Sequence, residues 1–191
     1  MKPIAGVELS ENRIRAVTIS RVMHRPLRRF DIPWNPASPQ AAVDLLRSHL
    51  GVVAAVGIAV GFDFLHPKHV KLPPVPAREK ARMVALEPER FFPVSSAIVV
   101  AAADDSDLVF AADAASTERT VAALAQWADV QNIEPAPFAF ARAARASRLA
   151  DALYSVSPPG AEQGANLVEV SRGRVMSARR AAQRATVEGA R

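Results

Sequence analysis

The sequence predicts an α/β fold, a mixed sheet with flanking helices, and three observations predict it. Near the N-terminus, short β-forming segments alternate in polarity around polar turns. Further on, strand-like apolar runs at 52–60 and 108–113 are interleaved with helical apolar stripes, the pattern of sheet strands separated by packed helices. Finally, 191 residues, 50% of them hydrophobic and 23% charged, suffice for one well-filled core or two small lobes.

The elements follow in order. Ile4–Leu9 and Ile14–Ser20 read as paired strands around the turn Ser10-Glu11-Asn12, since Ile14, Val17 and Ile19 are β-formers. Pro26–Ile32 adds a third strand. Ser38 followed by Pro39 offers a helix start, an N-cap oxygen and then a residue that needs no amide partner; this helix runs to Leu50 and stops at Gly51. "VVAAVGIAV" reads as a strand buried on both faces. Phe62–Leu72 is expected to be extended up to Pro73-Pro74. The next helix carries Ala81, Val84 and Ala85 on one stripe and ends near Glu87, because Pro88 would clash with the preceding turn. Phe91, Phe92 and Pro93 lead into the strand "SSAIVVAAA". The acidic turn Asp104-Asp105-Ser106-Asp107 then joins it to "LVFAAD" as a second hairpin. Ser116 or Thr117 is the expected cap of a helix whose Val121, Leu124, Ala125 and Ala128 face the core. A short strand near Ile133 precedes a helix opened by Pro137 and expected to reach Leu153. "SPPGAEQGA" (157–165) reads as a linker, and "NLVEVSRGRVMSARR" as a last strand–turn–strand before a polar tail.

Composition removes several chemistries. With no Cys, disulfides, thiolate metal sites and Cys nucleophiles are excluded. The longest uncharged run, Leu50–Phe62, is too short to span a bilayer, and Lys2-Pro3 followed by Glu8 and Glu11 does not resemble a signal peptide; the expected location is cytoplasmic. Net charge is +5 but segregated. Residues 1–29 carry seven bases (Lys2, Arg13, Arg15, Arg21, Arg25, Arg28, Arg29) against two acids, residues 101–135 carry seven acids against Arg119 alone, and the chain from Arg142 is basic again. Such a balance suits nucleic acid or an anionic membrane surface, or simply a solvated Arg-rich exterior. For nucleic acid the aromatic platform is missing, since the phenylalanines sit in apolar runs.

Four stretches resemble one superfamily. "GVELSENRIRAV" stands where actin-like ATPases have a strand, an Asp-x-Gly turn and a second strand. "HPKHVKLPPVP", "AREKARMVALEPERFFPV" and "LVFAADAASTERTVAALAQWADVQNIEPAPFAFARA" are similar to later segments of its bacterial type IV pilus assembly (PilM-type) and type II secretion (GspL-type) branches. The series spans residues 4–180, although no one motif in it is strong. The resemblance implies an actin-like (ribonuclease H-like) lobe formed by residues 1–61 and 111–156, with a small inserted α/β subdomain at 62–110. It also implies a linker at 157–165, and a start of the second lobe, or a C-terminal hairpin and tail, at 166–191. Since only one hairpin of a second lobe fits after Gly164, the usual two-lobed nucleotide cleft is not expected.

Laid on the phosphate-gripping turns of that superfamily, Glu8 falls on the Asp position, Ser10 on the Gly and Glu11 on the hydroxyl. In the second hairpin Glu169 and Ser171 take the first two positions and Arg172 follows. A glycine there lets phosphate approach the backbone. Here both are absent, and Glu11 sets a negative charge against phosphate, a repulsion of about 1–4 kcal/mol near a surface. No cofactor is expected, ATP and magnesium included, and no catalytic residue is assigned. His66 and His69 flank Pro67 without a third ligand, the Asp104–Asp107 turn lacks the later Gly and Glu of a calcium loop, and no metal site follows. Arg142, Arg145 and Arg148 form a basic stripe opposite small residues.

The expectation is therefore a non-enzymatic scaffold of a pilus or secretion assembly platform at the cytoplasmic face of the inner membrane. By family position, Lys71, Leu72, Arg82, Leu86, Phe91 and Phe92 would contact its partner, an inner-membrane assembly protein or the assembly ATPase, with membrane association indirect and self-association left open. Two alternatives remain open: a nucleotide-binding ATPase using Glu8, Ser10 and Arg172, and a basic nucleic-acid or anionic-membrane binding module.

Overall fold

The computed structural model describes residues 2–93, 96–103, 106–147, 151–156 and 166–180, with 151–156 and 180 as backbone. It is a mixed α/β fold. β1 (Ile4–Leu9), β2 (Arg13–Ile19) and β3 (Pro26–Pro33) form an antiparallel meander; β4 (Ala55–Val60) and β8 (Asp129–Pro135) extend it in parallel, giving the order β3-β2-β1-β4-β8. Strict alternation in β1 and β2 separates the faces. Ala5, Val7, Leu9, Ile14 and Ala16 turn inward against α1 (Gln40–Leu50) and α4 (Ala114–Ala125). The helices seal that face with Val43, Leu46 and Leu124, and Trp127 closes it by donating its indole N–H to the Gly51 carbonyl at 2.9 Å.

A second sheet of three strands, β5 (His66–His69), β7 (Leu108–Asp113) and β6 (Ile98–Ala102), is packed by α2 (Ala77–Leu86) and the short α3 (Pro88–Phe91) over its own cluster of Val70, Val84, Phe92, Val109 and Ala111. A third, β11 (Arg174–Arg180), β10 (Asn166–Ser171) and β9 (Asp151–Val156), lies against α5 (Ala136–Ala146). Among the described residues, no helix is long and apolar enough to cross a membrane.

Several expectations are corrected. Pro39, not Ser38, is the N-cap of α1, and the loop before it is held by Asn35, whose side-chain oxygen accepts from the Ala37 amide. The strand at β4 is covered on one face only, because Gly57 and Ala59 open onto a cavity. The extended piece after it begins as a 3₁₀ turn, Phe62–Phe64. On α2 the inward residues are Val84 and Lys80, while Ala85 is exposed. Lys80 is admitted because its ammonium donates to the Ser106 carbonyl at 3.1 Å. Asp113, not Ser116 or Thr117, caps α4, accepting from the Ser116 amide at 2.7 Å. Along α4, Thr120 and Ala123 are buried with Leu124, whereas Ala125 points outward. α5 ends at Ala146 instead of Leu153; the segment expected as its last turn is β9, which pairs antiparallel with β10. Asp104, Asp105, Arg148, the 157–165 linker and the tail beyond Arg180 lie outside the described residues.

Candidate functional site

The first turn is built by the two partners of β1. Antiparallel pairing sets Leu9 opposite Ile14, and parallel pairing sets Leu9 beside Val60, so residues 10–12 meet the end of β4. There the backbones nearly touch: the Gly61 amide donates to the Leu9 carbonyl at 2.7 Å, and a Cβ on Gly61 would stand 2.2 Å from that oxygen. The 3₁₀ turn that follows folds Asp63 back, and its Oδ2 accepts the Glu11 amide at 3.1 Å.

Ser10 is buried, and both its amide and its hydroxyl donate to the Arg13 carbonyl, at 2.9 and 2.8 Å. Trp34 clamps the turn from outside. Its indole N–H donates to the Ser10 carbonyl at 2.6 Å, its amide donates to the Asn12 carbonyl at 3.1 Å, and its ring meets Phe64 edge-on. A phosphate cradle needs backbone N–H groups aimed at open space. In this turn the Ser10 and Glu11 amides already donate, the second to a carboxylate of the same chain. The space bordered by Glu8, Ser10, Gly61, Asp63 and Asn166 is about 10 Å³, no more than one water requires.

Glu8, on the metal-placing position, is held by the Arg15 opposite it in the register, Nη1 to Oε2 at 3.3 Å. Asp31 completes the group, receiving Arg13 at 2.7 Å and standing 3.6 Å from Arg15. All four are partly exposed, so each pair contributes about 0.2–1 kcal/mol. Glu8, Arg15 and Asp31 border a cavity of about 530 Å³ on the partly covered face of the main sheet, shared with Gly6 and with Arg142, itself paired to Glu134. Among the described residues, no three His, Asp or Glu side chains gather as a metal site.

The second turn is elsewhere. Glu169 accepts from the Ser177 hydroxyl at 3.0 Å, Ser171 is half-buried, and Arg172 and Gly173 turn the chain with positive φ of 50° and 73°. Gly173 and Arg174 border a separate cavity of about 390 Å³ with Ser106 and Arg145. Glu8, Ser10 and Glu11 are thus together in one turn, and Glu169, Ser171 and Arg172 together in another; what reaches the first turn from β10 is Asn166, at the strand's opposite end.

The six residues placed at a partner surface separate by depth. Phe92 is 3% exposed and belongs to the small core; Leu72 and Phe91 lean on that core half-buried. Lys71 and Arg82 are exposed, and Leu86 is 73% exposed. Among the described residues β5 is an edge strand with only β7 beside it, tied to α3 by the Lys68 ammonium donating to the Phe91 carbonyl. Sequence reasoning missed Gly61, Asp63 and Trp34. A signal for the first two was present in "GFDF", directly after a strand expected in the middle of the sheet.

No known family profile matches the sequence, and no curated protein matches it. Solved structures do. The cytoplasmic domain of EpsL, an inner membrane component of the type II secretion system of Vibrio cholerae, superposes with a TM-score of 0.61 at 15% identity, over 93% of this chain and 71% of that one. A chain of the PilM-PilN type IV pilus biogenesis complex gives 0.65 at 16% identity, over 92% and 60%. A Bacteroides thetaiotaomicron protein with an actin-like ATPase fold and unknown function gives 0.56 at 12%, over 95% and 71%. The fold is therefore that of the actin-like ATPases, and the chain spans between 60 and 71% of the length of these relatives.

Proposed function

We propose that this chain is a non-enzymatic scaffold of a bacterial type IV pilus or type II secretion-like assembly platform, gripping a segment of a partner protein at the cytoplasmic face of the inner membrane. The observation that carries the reading is the Asp63 carboxylate on the Glu11 amide, where a nucleotide-binding turn of this fold would offer its donor to phosphate. The likeness to the EpsL cytoplasmic domain and to PilM supports the choice of machine.

In this reading residues 1–61 and 111–156 make the first lobe, 62–110 is the inserted subdomain that meets the partner, and 166–191 begins a second lobe or is a C-terminal hairpin and tail. An extended partner segment adds to the free edge of β5, which supplies backbone pairing, while Lys71, Leu72, Arg82, Leu86 and Phe91 supply side-chain contacts and Phe92 supports them from below. The partner is an inner-membrane assembly protein or the assembly ATPase.

Two measurements on the purified chain test this. Mg·ATP at millimolar concentration leaves the melting temperature unchanged, because a ligand raises it only by binding the native state. The cytoplasmic tail of an inner-membrane pilus or secretion assembly protein is captured by it, and Arg82→Glu with Leu86→Glu abolishes capture without lowering the melting temperature. A nucleotide-dependent rise, or capture indifferent to both substitutions, overturns the reading.

A further inference from the structure

The turn between β2 and β3 is built for display. Ser20 organises it: its hydroxyl accepts the Val22 and Met23 amides at 3.3 and 3.1 Å, its carbonyl accepts the His24 amide at 2.9 Å, and its own amide donates to the Arg25 carbonyl at 3.0 Å. His24 takes the left-handed conformation, φ 50°, that this closed loop requires. With its backbone satisfied from inside, the loop turns its side chains out. Val22 is 70% exposed, Met23 55% and Leu27 48%.

Three large apolar side chains exposed within six residues of one hairpin call for an explanation by a partner. The charge around them says which. Arg21, Arg25, Arg28 and Arg29 flank the three apolar residues, and no acid occurs from Ser20 to Phe30. Arg28 is anchored, donating to the His49 carbonyl at 2.8 Å, which fixes the base of the tip against the end of α1. Exposed apolar residues in and beside the turn, interspersed with arginines, match an anionic bilayer, where the apolar side chains enter the acyl boundary and the cations remain among the headgroups. Nucleic acid fits less well, since the tip carries no Phe, Tyr or Trp as a stacking platform.

We propose that the β2–β3 tip, Val22, Met23 and Leu27 with Arg21, Arg25 and Arg29, is a docking element for the anionic lipid surface of a membrane. The inference stands on the hairpin alone and does not depend on the partner-binding role above.

The full chain is sedimented with vesicles of phosphatidylglycerol and phosphatidylcholine, and with phosphatidylcholine alone. Binding is expected to the first and not the second. R21Q, R25Q and R29Q each weaken it about fivefold, from the usual contribution of one basic residue at such a surface. V22S with M23S weakens it further at any salt concentration, while added salt weakens the Arg-dependent part. The chain has no cysteine, so Met23→Cys offers a unique site for an environment-sensitive dye. Its emission shifts blue on anionic vesicles, and a dye at Leu86→Cys does not shift. No binding, binding unaffected by the tip substitutions, or duplex DNA binding with the same Arg dependence in place of vesicle binding each overturns the proposal, and none of them bears on capture of the partner tail.

Discussion

β2 ends in two turns of opposite character. At its start, Ser10 is buried, the Ser10 and Glu11 amides are bonded within the chain, and Trp34 holds the Ser10 and Asn12 carbonyls. At its end, the Val22, Met23 and His24 amides donate to Ser20, while the side chains of Val22, Met23 and Arg21 are exposed. Both turns are well bonded, so hydrogen bonding does not distinguish them. What differs is where the chain goes next: the first turn is pressed against the end of β4, while the second meets solvent. A turn pressed against the end of β4 has its amides taken by the chain's own groups, whereas the turn that meets solvent leaves apolar side chains exposed.

That contrast can be broken from either side. The largest effect is expected at Gly61. A methyl there meets the Leu9 carbonyl oxygen at 2.2 Å, and neither partner is a flexible side chain, so Gly61→Ala destabilises the chain by about 1–3 kcal/mol in urea unfolding. Trp34→Phe comes next. It keeps the ring but leaves the Ser10 carbonyl without its indole donor, at a cost of about 1–3 kcal/mol read in the same assay. The smallest effect belongs to the display turn, where V22S with M23S changes stability by no more than about 0.5 kcal/mol, since neither side chain is part of either buried core. A stability loss at the display turn as large as that at Gly61 would erase the distinction.

How legible this was in the sequence depends on the distance over which the signal acts. β1 carries strict alternation and a polar stop, and its boundaries were readable to the residue; so was the end of α1, where Gly51 adopts φ 74°. Val84 and Leu124 were readable as core from periodicity. β9 was not. Its segment follows an alanine-rich helix, and pairing with β10 decides its conformation, overriding local propensity. Lys80 was invisible as a buried residue because its burial depends on carbonyls of the β6–β7 connection. The candidate site shows the same limit. Glu8, Ser10 and Glu11 stood out because they are adjacent along the chain, whereas Asp63 lies 52 residues from Glu11 and meets it only once β4 is laid beside β1.

Because the Asp63 carboxylate already holds the Glu11 amide, phosphate finds no donor there, and the backbone amide spectrum reports this. In a ¹⁵N-labelled sample titrated with Mg·ATP, the Glu11, Ser10 and Gly61 resonances are predicted to stay in place up to millimolar nucleotide. A saturable shift centred on Glu11, reporting phosphate oxygens where the Asp63 carboxylate now sits, would contradict it.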